Sequence, residues 1–330
     1  MIIQPSYQTY LDAKQLLLQG DLVAFPTETV YGLGANALDR SAVRKIFETK
    51  GRPQKNPIIV HLGSITQISE YAEITSPLEE KIINTLMPGP ITILLKKKPN
   101  VPDIVTAGSD FVGIRIPSNK VALDLLQISE IPVAAPSANL STKPSPTSAQ
   151  MVFDNFHEAV PMIIDGGDCE VGIESTVVKV EGSRVVITRP GFITVEDLQS
   201  LFPSDVQVEY AQHISEITPG NMFKHYSPKS NVTLLNNTNQ ISFPLSDEKT
   251  AILVTQEWID DHKDRGDQFV AQGGIVYLRG SKSALISCAK TLFSWYHQAD
   301  KDHIIHLLVE PLTETGLGYA IMNRVKKSCE

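Results

Sequence analysis

Cations and hydroxyls recur along the first two hundred residues where apolar strands end. The cations are Lys50, Arg52, Arg115 and Arg189; the neutral groups are Ser137, Asn139, Ser145 and Ser175. Guanidinium forks match the oxygens of phosphates and carboxylates, and hydroxyls complete such a shell. Gathered in one place, the set suits a ligand with several anionic groups. Other chemistries lack their residues: HExxH, GxSxG, GxxxxGKS/T and a full GxGxxG are absent. Cys169, Cys288 and Cys329 are too dispersed for a zinc site and fit a reducing compartment. Of the histidines in the first half, only His61 follows a buried strand. Plainer readings compete. Lys50 and Arg52 close a helix, where cations offset the macrodipole, and Arg115 also reads as an exposed edge charge.

The elements that must position these groups follow from periodicity. Leu22–Phe25 reads as a strand running into the turn Pro26-Thr27-Glu28-Thr29, after which Gly32 and Gly34 loosen the backbone. A helix follows, with Asp39 or Ser41 as its cap, Val43, Ile46 and Phe47 on one face, and Gly51 as a left-handed stop. Further strands are expected at 58–62, 91–95, 112–116, 132–135 and 162–165, with helices at 7–19, 77–86, 119–127 (capped by Ser118), 149–156 and 195–201. In 112–116 alternation sets Arg115 on the face opposite Val112, Ile114 and Ile116. A hairpin turns at Glu181-Gly182-Ser183 and ends on Arg189. The loop 136–148, dense in Ser, Thr and Pro, reads either as a linker or as a pinned binding loop. Residues 202–230 read as an interdomain linker, idle or lid-like, with Met222–Ser227 the proposed closing piece. From 231 onward, strands alternate with helices, which implies a small, largely parallel sheet. Gly316-Leu317-Gly318 is taken as a helix-start turn. The expected domains are 1–201 and 231–330.

The 330 residues suffice for two domains. A net charge of −8 argues against broad nucleic-acid binding while leaving room for a local basic cleft. The N-terminus has no signal-peptide pattern and no run is long and apolar enough to span a membrane, so a cytoplasmic protein is expected.

The same residues carry a resemblance. FPTETVYGLG, the KxR of Lys50 and Arg52, KNPIIVHL, PGPITILL, GIRIP, the SxN of Ser137 and Asn139 within PSANLS, GIESTVV and ITRPG resemble the YrdC-type threonylcarbamoyl-AMP synthases in the same order over about residues 7–200. HYSP and the region after it resemble the longer, two-domain form. The resemblance implies an α/β fold, a twisted mixed sheet with a deep cationic cavity, followed by a Rossmann-like domain. It implies that L-threonine, bicarbonate and ATP, with Mg2+, give threonylcarbamoyl-AMP and pyrophosphate for tRNA threonylcarbamoyladenosine modification. Transient contact with tRNA or with the tRNA-modifying transferase complex is expected. Carried over by position, the threonine site would fall on Thr29, His61, Arg115, Ala135 and Ser175, with Arg115 pairing with the amino-acid carboxylate. The nucleotide site would fall on Lys50, Arg52, Asn56, Ser137, Asn139, Ser145 and Arg189, with Tyr226 from the linker; Lys50 and Arg52 would be catalytic. No metal ligand from a side chain is implied.

Competing functions are a non-catalytic RNA- or nucleotide-binding module, which the acidic total charge disfavours, and a nucleotide sensor built on the second domain. A third is the carbamoyl transfer of hydrogenase maturation factors. Those proteins carry zinc-finger cysteines and an acylphosphatase segment, and this sequence has neither.

Overall fold

The computed structural model describes residues 1–211, 226–237, 240–241 and 248–329. Contacts divide the chain into two units: Met1–Ser141 with Ser145–Phe223, and Thr142–Pro144 with Lys224–Glu330.

The first unit is a mixed α/β fold built on a 12-stranded sheet. Its strands are β1 (Ile2–Ile3), β2 (Val23–Phe25), β3 (Gly32–Asn36), β4 (Val60–His61), β5 (Ala72–Glu73) and β6 (Ile91–Lys97). They continue with β7 (Phe111–Arg115), β8 (Val133–Ala134), β9 (Met162–Ile164), β10 (Thr176–Glu181), β11 (Arg184–Arg189) and β12 (Gln207–Tyr210). The order across the sheet is β1-β9-β2-β3-β8-β4-β7-β6-β10-β11-β12, with β5 pairing β6. Both faces are covered. On one, Tyr10, Ala13 and Leu17 from helix Tyr7–Leu18 and Ala122, Leu125 and Leu126 from helix Lys120–Ser129 bury Val23, Phe25 and Val133. On the other, Val43, Ile46 and Phe47 of helix Arg40–Lys50 and Ile82 and Ile83 of helix Pro77–Leu86 pack over Ala24, Val60, Ile93 and Ile114. Burial of a sheet on both faces is what near-continuous apolar runs such as ITILL provide.

Several sequence expectations change. Gly32 and Gly34 do not loosen a turn; they lie inside β3, antiparallel to β2. A Cβ on Gly34 would stand 2.8 Å from Val133 Cγ1 and 2.9 Å from Phe25 Cε1, so close packing demands the glycine. The helix expected at 119–127 is capped by Asn119, whose side chain accepts from the Val121 and Ala122 N–H groups, and not by Ser118. Of 58–62 only Val60–His61 is strand: the Ile58 N–H donates to Val105 O, outside the sheet, while the Leu62 N–H still reaches Arg115 O at the end of β7. The segment read as a linker from 202 holds β12, which adds in parallel to β11. Within the proposed lid, Met222–His225 lies outside the described residues.

The second unit carries a four-stranded, all-parallel sheet of β13 (Asn231–Leu234), β14 (Thr250–Val254), β15 (Ile275–Leu278) and β16 (His306–Val309), in the order β13-β16-β14-β15. This is the sheet that the βα alternation implied. Helices Leu285–Lys301 and Gly316–Ser328 belong to it, and the second starts at the GLG turn. Among the described residues, no helix is long and apolar enough to cross a membrane.

Candidate functional site

Lys50 is the last residue of its helix. Asp39 caps the start, accepting from the Ser41 and Ala42 N–H groups, and Gly51 ends it at φ 59°. The ammonium is not a solvated helix-end charge, since Lys50 is 2% exposed. Its Nζ donates to Ser137 O at 2.5 Å and also to Asn139 O. Ser137 Oγ donates to Asn139 Oδ1 at 2.5 Å, which closes the SxN loop around the lysine. That loop is itself pinned, because the Leu33 N–H donates to Pro136 O and the Ala138 N–H to Tyr31 O. Burial first, and the charge of Arg52 second, push the Lys50 pKa well below the usual lysine range. Arg52 donates through Nη2 to Pro57 O at 2.9 Å and through Nε to Asn56 O at 3.3 Å, folding the following loop onto itself.

A second group forms where neighbouring strands end together. In register, His61 of β4 lies opposite Arg115 of β7, and Val177 of β10 lies opposite Arg189 of β11. Arg189 donates through Nε (3.1 Å) and Nη2 (2.9 Å) to Ser175 O, and through Nη2 to Ser175 Oγ (2.9 Å). Ser175 Oγ also meets Thr92 Oγ1 at 2.8 Å. Arg115 is 4% exposed, which removes the edge-charge reading; its Nη2 lies 2.8 Å from Glu28 Oε1. Thr29 is fully buried and its hydroxyl meets Thr27 Oγ1 at 2.8 Å. Ala135, just past β8, is held by its N–H to Ile59 O. Burial and then the charge of Arg115 push the His61 pKa down to about 3, so the ring is neutral at any ordinary pH.

The structure brings several of the sequence-predicted residues together in two clusters. Lys50, Ser137 and Asn139 form one, with Arg52 and Asn56 beside it; His61, Arg115, Ser175 and Arg189 form the other. Arg189, expected with the nucleotide group, is bonded to Ser175 of the threonine group. Ser145 is wholly buried and its hydroxyl donates to Glu174 Oε1 at 2.5 Å. Tyr226 belongs to the second unit, where its ring stacks on Phe293 at 5.4 Å and lies under the Arg324 guanidinium. Sequence reasoning missed Glu28, Glu174, Thr27 and Thr92. The signal was available in FPTETVY and GIEST, where an acid sits within a segment otherwise built for burial. Among the described residues, no group of His, Cys, Asp or Glu could cage a metal ion.

The fold is that of an α/β protein whose mixed sheet has buried arginines and hydroxyls at its strand ends, with Lys50 buried at a helix end. Residues 15–191 match the Sua5–YciO–YrdC family model, described as "Telomere recombination", and residues 193–329 match the model described as "Threonylcarbamoyl-AMP synthase, C-terminal domain". The chain belongs to the Sua5–YciO–YrdC family, in its two-domain form. It is 36% identical over 327 residues to the threonylcarbamoyl-AMP synthase of Pyrococcus abyssi, covering 96% of this chain and 92% of that protein. It is 36% identical over 328 residues to the Bacillus subtilis enzyme of the same name, covering 96% and 91%. The crystal structure of P. abyssi Sua5 complexed with L-threonine superposes with a TM-score of 0.83 at 32% identity, covering 100% of this chain and 97% of that one.

Proposed function

We propose that this chain is an L-threonylcarbamoyladenylate synthase. It converts L-threonine, bicarbonate and ATP to threonylcarbamoyl-AMP and pyrophosphate, a nucleotidyl transfer whose product serves tRNA threonylcarbamoyladenosine modification. The observation that carries the reading is likeness along nearly the whole chain to proteins of that name.

Two steps divide the chemistry. The threonine amine and bicarbonate give a carbamate and water. A carbamate oxygen then attacks the ATP α-phosphorus, and pyrophosphate leaves. Both partners in the second step are anions, so the barrier lies in repulsion and orientation. Fixed cations stabilise charge that develops in the transition state without reorganising. Lys50 and Arg52, with Ser137, Asn139, Asn56 and Ser145, are assigned to the nucleotide. Arg115 and Ser175, with Thr29, His61 and Ala135, are assigned to threonine, and Arg189 to the junction of the two in a deep cationic cavity. Magnesium enters with ATP, held mainly by its phosphates. The carbamate is already ionised, so the phosphoryl step needs no strong base.

The test is pyrophosphate release from ATP. It should require both L-threonine and bicarbonate, and release indifferent to either would end the proposal.

A further inference from the structure

Resting on that reading, we propose that Glu28 binds the ammonium group of the amino-acid substrate, so that Glu28 and Arg115 together form a clamp for a zwitterion. An α-amino acid carries its carboxylate and its ammonium on one carbon. The complementary site therefore needs a cation and an anion side by side. Arg115 Nη2 and Glu28 Oε1 stand 2.8 Å apart, with the side chains 5% and 4% exposed.

The pair is unusual in what it leaves unused. Although close, Glu28 Oε1 receives no properly directed hydrogen bond, and Arg115 Nε has no acceptor. The nearest directed bond from Arg115 is a long one, Nη2 to Thr27 Oγ1 at 3.5 Å. A purely structural ion pair at this depth would aim its donors at the carboxylate, because buried polar atoms without partners cost free energy. Here one acceptor and one donor are left over, which are what an ammonium and a carboxylate would fill. The rest of Glu28 is fixed: the Ser118 N–H donates to Oε2 at 3.2 Å, and the Glu28 carbonyl accepts the Val171 N–H at 2.8 Å. The carboxylate is therefore held in place before any ligand arrives, next in sequence to Thr29 and against Arg115, which pairs with His61 across β4 and β7. The substrate amine is the atom that becomes the carbamate nitrogen, so a residue gripping it also fixes where the carbamate forms.

The experiment compares two ligands by calorimetry on the full chain: L-threonine, and 2,3-dihydroxybutanoate, which has a hydroxyl where threonine has its ammonium. The substitution is Glu28→Gln, which preserves shape and removes charge. Losing one charge-assisted bond should weaken L-threonine roughly 10- to 100-fold. The dihydroxy acid should bind as before or tighter, because Arg115 no longer shares its charge. If both ligands weaken equally, Glu28 merely holds Arg115 and the assignment is overturned. Unchanged threonine affinity overturns it too. Should Glu28→Gln fail to fold, Glu28→Asp is measured in its place, and it should weaken threonine alone. Failure of the unmodified protein to bind threonine would remove the function itself, which the pyrophosphate assay reads separately.

Discussion

Lys50→Met separates what the buried ammonium does for the fold from what it does for the reaction. Methionine keeps most of the stem and removes the charge. The fold loses the bonds from Nζ to Ser137 O and Asn139 O in a site 2% exposed. Each such charge-assisted bond contributes about 1.5–3 kcal/mol. Removing a charge held away from water offsets part of this. A net loss of about 1–3 kcal/mol follows, a shift of several degrees in thermal midpoint. The reaction should lose far more, on the order of 100- to 1000-fold in pyrophosphate release. A pH signature accompanies it. The folded pKa of Lys50 lies below the unfolded one, so between them the unfolded chain holds a proton that the native protein has released. Stability therefore gains with rising pH across that window, and Lys50→Met should remove this increment. Thermal unfolding of both proteins at a series of alkaline pH values, with turnover measured alongside, decides the matter. Undiminished turnover, or an identical pH increment in both proteins, would refute the reasoning.

Gly34→Ala places a methyl against Val133, Phe25 and the Val23 carbonyl; a destabilisation of about 1–3 kcal/mol is expected by chemical denaturation, with no charged group touched. His61 is neutral in the fold with a pKa of about 3, so it should contribute no inflection to the rate profile between pH 5 and 8. Its effect falls on stability instead: below the ordinary value of 6.5 the unfolded ring takes a proton that the folded ring refuses, so stability is lost as pH falls toward 3, and His61→Gln should lessen that loss in acid-unfolding curves. Asn139→Asp sets a carboxylate beside Lys50; the thermal midpoint should hold or rise while ATP affinity falls about tenfold or more, both read on the same sample by calorimetry.

What the sequence disclosed depended on range. The helix Arg40–Lys50 was legible to its last residue, because Asp39, the apolar spacing and Gly51 are all local signals. The parallel sheet of the second unit was legible from βα alternation. Pairings of high sequence separation were not. Nothing near Glu28 says that its carboxylate meets Arg115, and nothing near Ser145 says that its hydroxyl is spent on Glu174. Gly34 was misread for the same reason: the side chains that exclude a Cβ are Phe25 across the hairpin and Val133 about a hundred residues away. Strand β12 escaped because a short, half-exposed run such as QVEY has little pattern of its own until β11 offers an edge.

The partners of the buried Lys50 ammonium bear on why such a site can attract anions at all. A carboxylate beside it would satisfy the donor but cancel the field. A backbone carbonyl satisfies a donor and leaves the charge standing. Lys50 shows this most clearly, since its bonds end on the carbonyls of Ser137 and Asn139. On the proposed assignment, a triphosphate meets the Lys50 charge without competing against an acid already bonded to it. Arg115 is treated differently, having Glu28 at its side. On the proposed assignment the difference follows the ligands: a polyanion needs uncancelled charge, whereas an amino acid, neutral overall, needs one charge of each sign.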